Sequence, residues 1–440
     1  MNPKEAGVSD QLKKLLQPYS LGGLFGSMRM QYSVPEVSPG VVHCSPDLGN
    51  VAAVWPNPEW YGNALKVNAG GSGLCTGDAL LPALVEGLER YSAGICRETQ
   101  LIEASAEELG EEAIDLDSIP RCSQRELAHP KCPLILPDKR QAIRWVRGLS
   151  LMDGRTAYVP AVMVYSHIIN VQPSERFWLP ISTGCAAHTT YEEALLGGIC
   201  EVVERDAISI TWLQKLQLPQ IEVDVVPPEL AGCWEVYESG SGKVETHFLD
   251  ATLDLGIPTV YAVQVARFSK QTATLIGCSS KSSMAKAMAK VILDLAAFTQ
   301  GFRPSHPLPQ SWDDYSQVMH GATYMAQQDR RHAFDFLLAS SARKKLSDIL
   351  KAESHGESLM RVLQNLKAKA LACYAIDISP DEAMRTGIRV VRVVIPGLQP
   401  LSFRYRARFL GHPRLYDAPR RMGFRSLPEE KVNDFPQPFA

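Results

Sequence analysis

Ala83-Leu84-Val85-Glu86-Gly87-Leu88-Glu89-Arg90-Tyr91 and Ile199-Cys200-Glu201-Val202-Val203-Glu204-Arg205-Asp206 decide how this chain is read. Each stretch contains Glu-x-x-Glu-Arg, and each sits in an apolar, helix-periodic run. Leu80, Leu81, Leu84, Val85 and Leu88 surround the first; Leu195, Leu196, Ile199, Val202, Val203 and Ile208 surround the second. Residues three apart share a helix face, so each helix presents two carboxylates side by side near the interior. For one block alone, local Glu–Arg pairing on a wet face is the simpler reading. Two copies in helices this apolar favour convergence. Carboxylates about 4 Å apart repel by roughly 4 kcal/mol at an effective dielectric near 20, so the cluster must protonate or bind a cation. All-oxygen donors suit magnesium or calcium. A di-iron bundle is the rival, but neither helix has a His three residues after a Glu. Magnesium on carboxylates commonly leaves room for substrate phosphates, which points to a nucleoside triphosphate met by Arg90 and Arg205. No Gly-x-x-x-x-Gly-Lys-Ser/Thr loop is present. The turn Gly70-Gly71-Ser72-Gly73 could approach a phosphate, or be a plain turn.

Outward from these helices, the chain alternates strand-like and helical runs. The helices are expected over 77–95, 191–214 and 283–298. Strands are expected near 142–146, 157–165, 244–250, 258–265, 273–277 and 387–395. Residues 98–141 are acidic and proline-dotted and read as a surface insertion. Residues 1–20 read as an N-terminal tail, 21–440 as the domain, and 417–440 as a proline-rich C-terminal segment.

The 440 residues carry a formal net charge of −3, which gives no basic field for nucleic acid. The basic stretch from Arg404 to Arg421 reads as a solvated surface or a phosphate-facing edge. The N-terminus lacks an apolar core run, and no stretch of 18 or more apolar residues exists. Neither export nor a membrane span is expected. The ten cysteines contain no Cys-x-x-Cys pair and read as reduced thiols of a cytoplasmic protein. Cys122, His129 and Cys132 fit no common zinc spacing. Cys185 and Cys200 read as packing residues, and His188 as a helix-entry residue or a base.

These motifs resemble the YcaO family. The resemblance rests on Gly73-Leu74, the first Glu-x-x-Glu-Arg helix, and Ser182-Thr183-Gly184-Cys185-Ala186-Ala187. It continues through Glu192-Glu193-Ala194-Leu195, the second Glu-x-x-Glu-Arg helix and Asp254-Leu255-Gly256-Ile257-Pro258. Arg392-Val393-Val394-Ile395-Pro396-Gly397-Leu398 and the closing Phe435-Pro436-Gln437-Pro438-Phe439-Ala440 complete it. It covers roughly residue 20 to the end. It implies an α+β fold in which mixed, mostly antiparallel sheets pack with long helices that carry an ATP and Mg2+ site. By resemblance, Glu86, Glu89, Glu201 and Glu204 hold Mg2+. Arg90, Glu193, Arg205, Thr189 and Gly73 lie on the nucleotide side, and Pro436, Pro438 and Ala440 reach the catalytic end. Ser72, Pro82 and Thr189 depart from the usual Lys, Ser and Asn.

The implied activity is ATP-dependent cyclodehydration of a ribosomal precursor peptide. A Cys, Ser or Thr side chain attacks the preceding carbonyl, ATP phosphorylates the resulting oxygen, and phosphate leaves as an azoline closes. Thioamide or amidine formation, or a non-catalytic scaffold, are the alternatives. No enzyme nucleophile is needed, consistent with the lack of a recognisable Ser-His-Asp or Cys-His arrangement. The residues before position 21 are too few for a winged-helix recognition module. A separate leader-binding partner related to ubiquitin-activating enzymes is therefore expected, with a flavin-dependent azoline dehydrogenase as a further candidate partner. The oligomeric state is left open, a homodimer included.

Overall fold

The computed structural model describes residues 27–32, 38, 40–47, 69–240, 242–301, 307–353 and 359–439. The expected tail over 1–20 and Ala440 lie outside them. The strands are β1 (Ser27–Tyr32), β2 (Val42–Asp47), β3 (Gly71–Gly73), β4 (Leu101–Ala104), β5 (Ile143–Ser150), β6 (Thr156–Pro160) and β7 (Cys185–His188). They continue as β8 (Gln220–Glu222), β9 (Glu245–Asp250), β10 (Thr259–Val265), β11 (Thr274–Ser280), β12 (Arg343–Lys345), β13 (Tyr374–Asp377) and β14 (Arg389–Val394). The longer helices are α1 (Thr76–Gly94), α2 (Tyr191–Leu213), α3 (Pro228–Gly240), α4 (Met284–Gly301), α5 (Val318–Met325), α6 (Leu359–Ala368) and α7 (Arg414–Arg421).

Three sheets result, ordered β1-β2-β3, β11-β10-β9-β8-β12 and β4-β5-β13-β14-β7, with β6 also pairing β5. Every pairing is antiparallel except β8 with β12. The fold is therefore α+β with mixed, mostly antiparallel sheets. α1 buries Ala79, Leu80, Ala83, Leu84, Gly87, Leu88 and Tyr91, the stripe that a 3.6-residue period dictates. That stripe meets β2 and β3 on one side and β7 on the other. α2 runs between β7 and β14 on one flank and β11 on the other. α4 covers β10 and β11. The two helices with paired glutamates are thus held between sheets, which places their polar faces close together.

Three sequence expectations change in the structure. The strand expected over 157–165 ends at Pro160, and Ala161–Val164 are helical. The segment 98–141 is not confined to the surface: β4 pairs with β5, and Ile114, Leu116 and Ile119 are buried in the core. Its Glu126 is buried and accepts the backbone N–H groups of Arg408 (2.6 Å) and Leu410 (2.8 Å). Acidic, proline-dotted composition hid these apolar anchors because they are spaced irregularly between short turns. The stretch Arg404–Arg421 is also partly internal. Arg414 is buried and bridges Asp206 (2.7 Å) and Asp254 (2.8 Å), fastening α7 to α2. All ten cysteines are free, and no helix among the described residues is long and apolar enough to cross a membrane.

Candidate active site

The site begins with backbone. Gly73 lies in β3 rather than in a loose turn, and a Cβ there would sit 2.5 Å from the Asp78 Cβ. A glycine is required for β3 to lie this close to the start of α1, so packing accounts for Gly73. Gly184 has φ +87°, and a Cβ there would meet the Val393 carbonyl oxygen at 2.3 Å. This left-handed turn lets the chain enter β7 against β14 while aiming its N–H at α2. Thr190 caps α2, its hydroxyl accepting the Glu193 N–H at 3.3 Å, which fixes where the helix starts.

Each of the four glutamates has one oxygen held by a backbone N–H. Gly70 donates to Glu86 Oε2 at 2.8 Å, and Ala187 to Glu89 Oε1 at 2.8 Å. Gly184 donates to Glu201 Oε2 at 2.9 Å, and Ser280 to Glu204 Oε2 at 3.1 Å. Glu86 Oε1 receives the Arg90 Nη2 at 2.7 Å, the local pairing that the sequence allowed. Arg205 lies 3.5 Å from Glu201 Oε1 and 3.5 Å from Glu204 Oε1. The backbone therefore sets the orientation of every carboxylate and leaves Oε2 of Glu89 and Oε1 of Glu201 and Glu204 as hard oxygen donors. Burial, reinforced by the carboxylates of Glu86 and Glu201, pushes the Glu89 carboxyl well above its ordinary range. Burial likewise raises Glu204.

Among the described residues, no three carboxylate, imidazole or thiol groups close to metal-ligand spacing. Glu89 lies within electrostatic reach of both Glu86 and Glu201. Hard oxygen donors, an elevated Glu89 carboxyl and flanking guanidinium groups fit a divalent cation that carries phosphate.

Two cations that sequence reasoning missed join the cluster. Lys290 of α4 pairs with Asp294 and lies within electrostatic reach of Glu204 and Glu86. Lys281, just past β11, lies within reach of Glu204. The Lys290–Asp294 spacing of four residues was the available signal. His43 joins through Ser72 Oγ at 3.1 Å, and burial lowers its pKa. At the opposite end of α2, His188 Nδ1 meets Glu193 Oε2 at 2.5 Å and Thr189 Oγ1 at 3.2 Å. Thr189 and Glu193 are thus brought together, two turns before Glu201.

A cavity of about 740 Å3 runs beside this stripe and is lined by Leu196, Cys200, Ile257, Pro258, Lys281 and Ser282, among others. The C-terminal segment is docked rather than loose. Trp212 Nε1 donates to the Phe435 carbonyl at 3.2 Å, and the buried Phe439 ring meets Tyr261 edge-on at 5.5 Å. Tyr261 pairs across the sheet with Cys278, which is within electrostatic reach of Glu204 and Arg205. Pro436 and Pro438 therefore lie in a segment anchored behind the carboxylate stripe.

Comparison with known proteins bears on the family and the fold. The model of the YcaO family, described as an ATP- and Mg2+-binding cyclodehydratase, matches residues 70–399. An uncharacterized protein of Methanothermobacter thermautotrophicus is 25% identical over 80% of this chain and 86% of its own length. Among solved structures, a heterocyclase in complex with substrate and cofactor superposes with a TM-score of 0.78 at 22% identity, over 98% of this chain. This chain spans 57% of that heterocyclase. The YcaO protein of Methanopyrus kandleri bound with AMPPCP and Mg2+ gives a TM-score of 0.62 at 18% identity, over 88% of this chain and 91% of its own. At those identities the structural likeness speaks for the fold. The family match spans most of the chain, and the chain belongs to the YcaO family of ATP- and Mg2+-binding cyclodehydratases.

Proposed function

We propose that this protein uses ATP to activate backbone amides of a ribosomal precursor peptide and closes Cys, Ser or Thr side chains into thiazoline or oxazoline rings. The observation that carries this reading is the row of four carboxylates, each oriented by a backbone N–H, facing Arg205 and Lys290. Such a row suits phosphate carried by magnesium, and family membership supports the amide chemistry. Glu86, Glu89, Glu201 and Glu204 are the groups that would hold Mg2+. Bound Mg-ATP supplies an electrophilic phosphoryl group that turns an amide oxygen into a phosphate leaving group.

This chain's own residues position and neutralise. Arg90, Arg205 and Lys290 offset negative charge at the phosphate end. Glu193 lies roughly 12 Å along α2 from Glu201, given a 1.5 Å rise per residue, with Thr189 just before the helix, a separation suited to the nucleoside end. Gly73 supports this side by letting β3 lie close to α1. Pro436 and Pro438, with Ala440 beyond them, are proposed to bound the end where amide and phosphate meet, since Phe439 anchors their segment behind Glu204. The peptide would come with a separate leader-binding subunit, and a flavin-dependent dehydrogenase would act on the azoline.

The test is incubation of a Cys/Ser/Thr-rich precursor peptide with this protein, its partner subunit, ATP and Mg2+, followed by mass spectrometry. The expected product has lost one water per ring, and isotope label placed in the amide oxygen ends in phosphate. Label appearing only in water overturns phosphoryl activation of the amide, and an oxygen-to-sulfur exchange with added sulfide overturns ring formation.

A further inference from the structure

The large cavity beside α2 has walls of two kinds. Leu196, Ile257, Pro258, Ile349 and Val362 supply aliphatic surface. Leu196, Ile349 and Val362 are only half-buried, so apolar surface stays uncovered in a concave site. The other wall carries Lys281, Ser282, Arg343 and Lys344, interleaved with Glu222, Asp250, Asp348 and Glu353. Lys344 pairs with Asp250 at 2.6 Å. The volume of about 740 Å3 falls within the roughly 300–1,000 Å3 of ligand pockets.

One end of this cavity lies a single helical turn from the carboxylates. Residues four apart form a row along a helix, and Leu196, Cys200 and Glu204 are such a row. The first two line the cavity, and the third is a carboxylate of the site. Lys281 also lines the cavity and lies within electrostatic reach of Glu204. Its ammonium makes no ion pair among the described residues. The lining selects among occupants. Among the described residues it holds no aromatic ring on which a nucleobase could stack. Its acidic side chains offset the basic ones, which leaves little net field for a polyphosphate. An extended peptide fits both walls: aliphatic side chains cover the aliphatic wall, and main-chain carbonyls accept from Lys281 and Ser282.

We propose that this cavity receives the stretch of precursor peptide adjoining the reacting amide and selects an aliphatic side chain in it. The identity of the occupant as the precursor rests on the proposed function; the affinity for an aliphatic residue in an extended peptide does not. Cys200 and Leu196 lie about 6 and 12 Å along α2 from Glu204, given a 1.5 Å rise per residue. An extended chain advances about 3.3 Å per residue. An amide activated at Glu204 therefore places the side chain about two to four residues away against the aliphatic wall.

The test is fluorescence anisotropy of the full chain with short labelled Gly/Ser peptides that carry one Cys and a single Leu moved along the peptide. Leu about two to four residues from the Cys, on one side of it, is expected to tighten binding at least about tenfold over the same peptide without Leu, the change that burying one aliphatic side chain carries. Val362→Trp and Ile349→Trp, which fill the cavity, should erase that gain and leave Mg-ATP binding unchanged. No gain from Leu in the wild type overturns the proposal, as does an equal gain at every position or a gain undiminished in Val362→Trp. Should Val362→Trp fail to fold, Ile349→Trp decides on the same criterion. Loss of Mg-ATP binding in a folded, filled variant also overturns it, because the cavity is then nucleotide space. Mass spectrometry of the precursor in parallel separates the two readings. Leu-dependent binding without water loss removes ring formation and keeps the peptide cavity; water loss without Leu-dependent binding removes the peptide cavity alone.

Discussion

Replacing Glu86 or Glu201 by Gln removes one charge from a crowded group while keeping a side chain that can still accept the N–H of Gly70 or Gly184. Fold stability should therefore be retained, because the lost carboxylate relieves like-charge repulsion. ATP turnover with partner and peptide should fall by at least about a hundredfold, the scale seen when transition-state charge loses its stabiliser. Full turnover in both variants, measured as ADP formed, would remove these residues from the Mg2+ set. A second residue-scale effect concerns acid stability. Burial holds His412 at about 4, below its ordinary 6.5, so the unfolded chain binds the extra proton first. Its stabilising contribution is fully present above pH 6.5 and is lost as pH falls toward 4, on the order of 3 kcal/mol in all. Urea unfolding of His412→Asn between pH 7 and 4 should show a shallower loss than wild type, and parallel curves would refute it. Residue identity made the glutamates legible, because a repeated Glu-x-x-Glu-Arg in apolar helices is a chemical anomaly. It gave no hint that four backbone N–H groups orient them.

At the scale of elements, α2 is held from behind as well as in front. Arg414 of α7 donates to Asp206 of α2 and to Asp254 in the turn before β10. Replacing Arg414 by Met leaves Asp206 in the interior with only the Gln399 N–H, and Asp254 with only the longer contact to Arg421 at 3.7 Å. The expected cost is about 3–5 kcal/mol, the range for breaking a buried pair from one side. Denaturant unfolding measures it directly, and a change below about 1 kcal/mol would show that the bridge is solvated, as surface pairs are. The helices and most strands were readable from periodicity because their apolar faces repeat regularly. The segment 98–141 was not, because Ile114, Leu116 and Ile119 enter the core from short turns with no sustained period. The Gly70–Gly73 run reads in the sequence as either a phosphate approach or a plain turn; in the structure Gly73 pairs with β2 and packs against Asp78.

At the scale of the whole molecule, the C-terminal segment closes over the sheet behind the carboxylates. Truncating Phe439 to Ala should destabilise by about 3–5 kcal/mol if its pocket stays empty, less if the end of the chain lifts away. Deleting 436–440 should cut ring formation strongly while Mg-ATP binding persists, because the glutamates lie on other elements. Wild-type ring formation in the truncated protein would make the segment a structural tether alone. The sequence by itself determined what the chain can bind: the types and helical spacing of its glutamates, the arginines beside them, and the glycines that permit tight backbone turns. Those are local properties, set by covalent chemistry and the helical period. Only the tertiary structure decided which groups meet. Arg392 and Arg205 are far apart in sequence and line one cavity; Lys290 arrives on a third helix; the N–H groups of Gly70, Gly184, Ala187 and Ser280 are supplied by strands and turns. Convergence of this kind depends on how sheets stack around the helices, and long-range packing leaves no periodic trace in the chain.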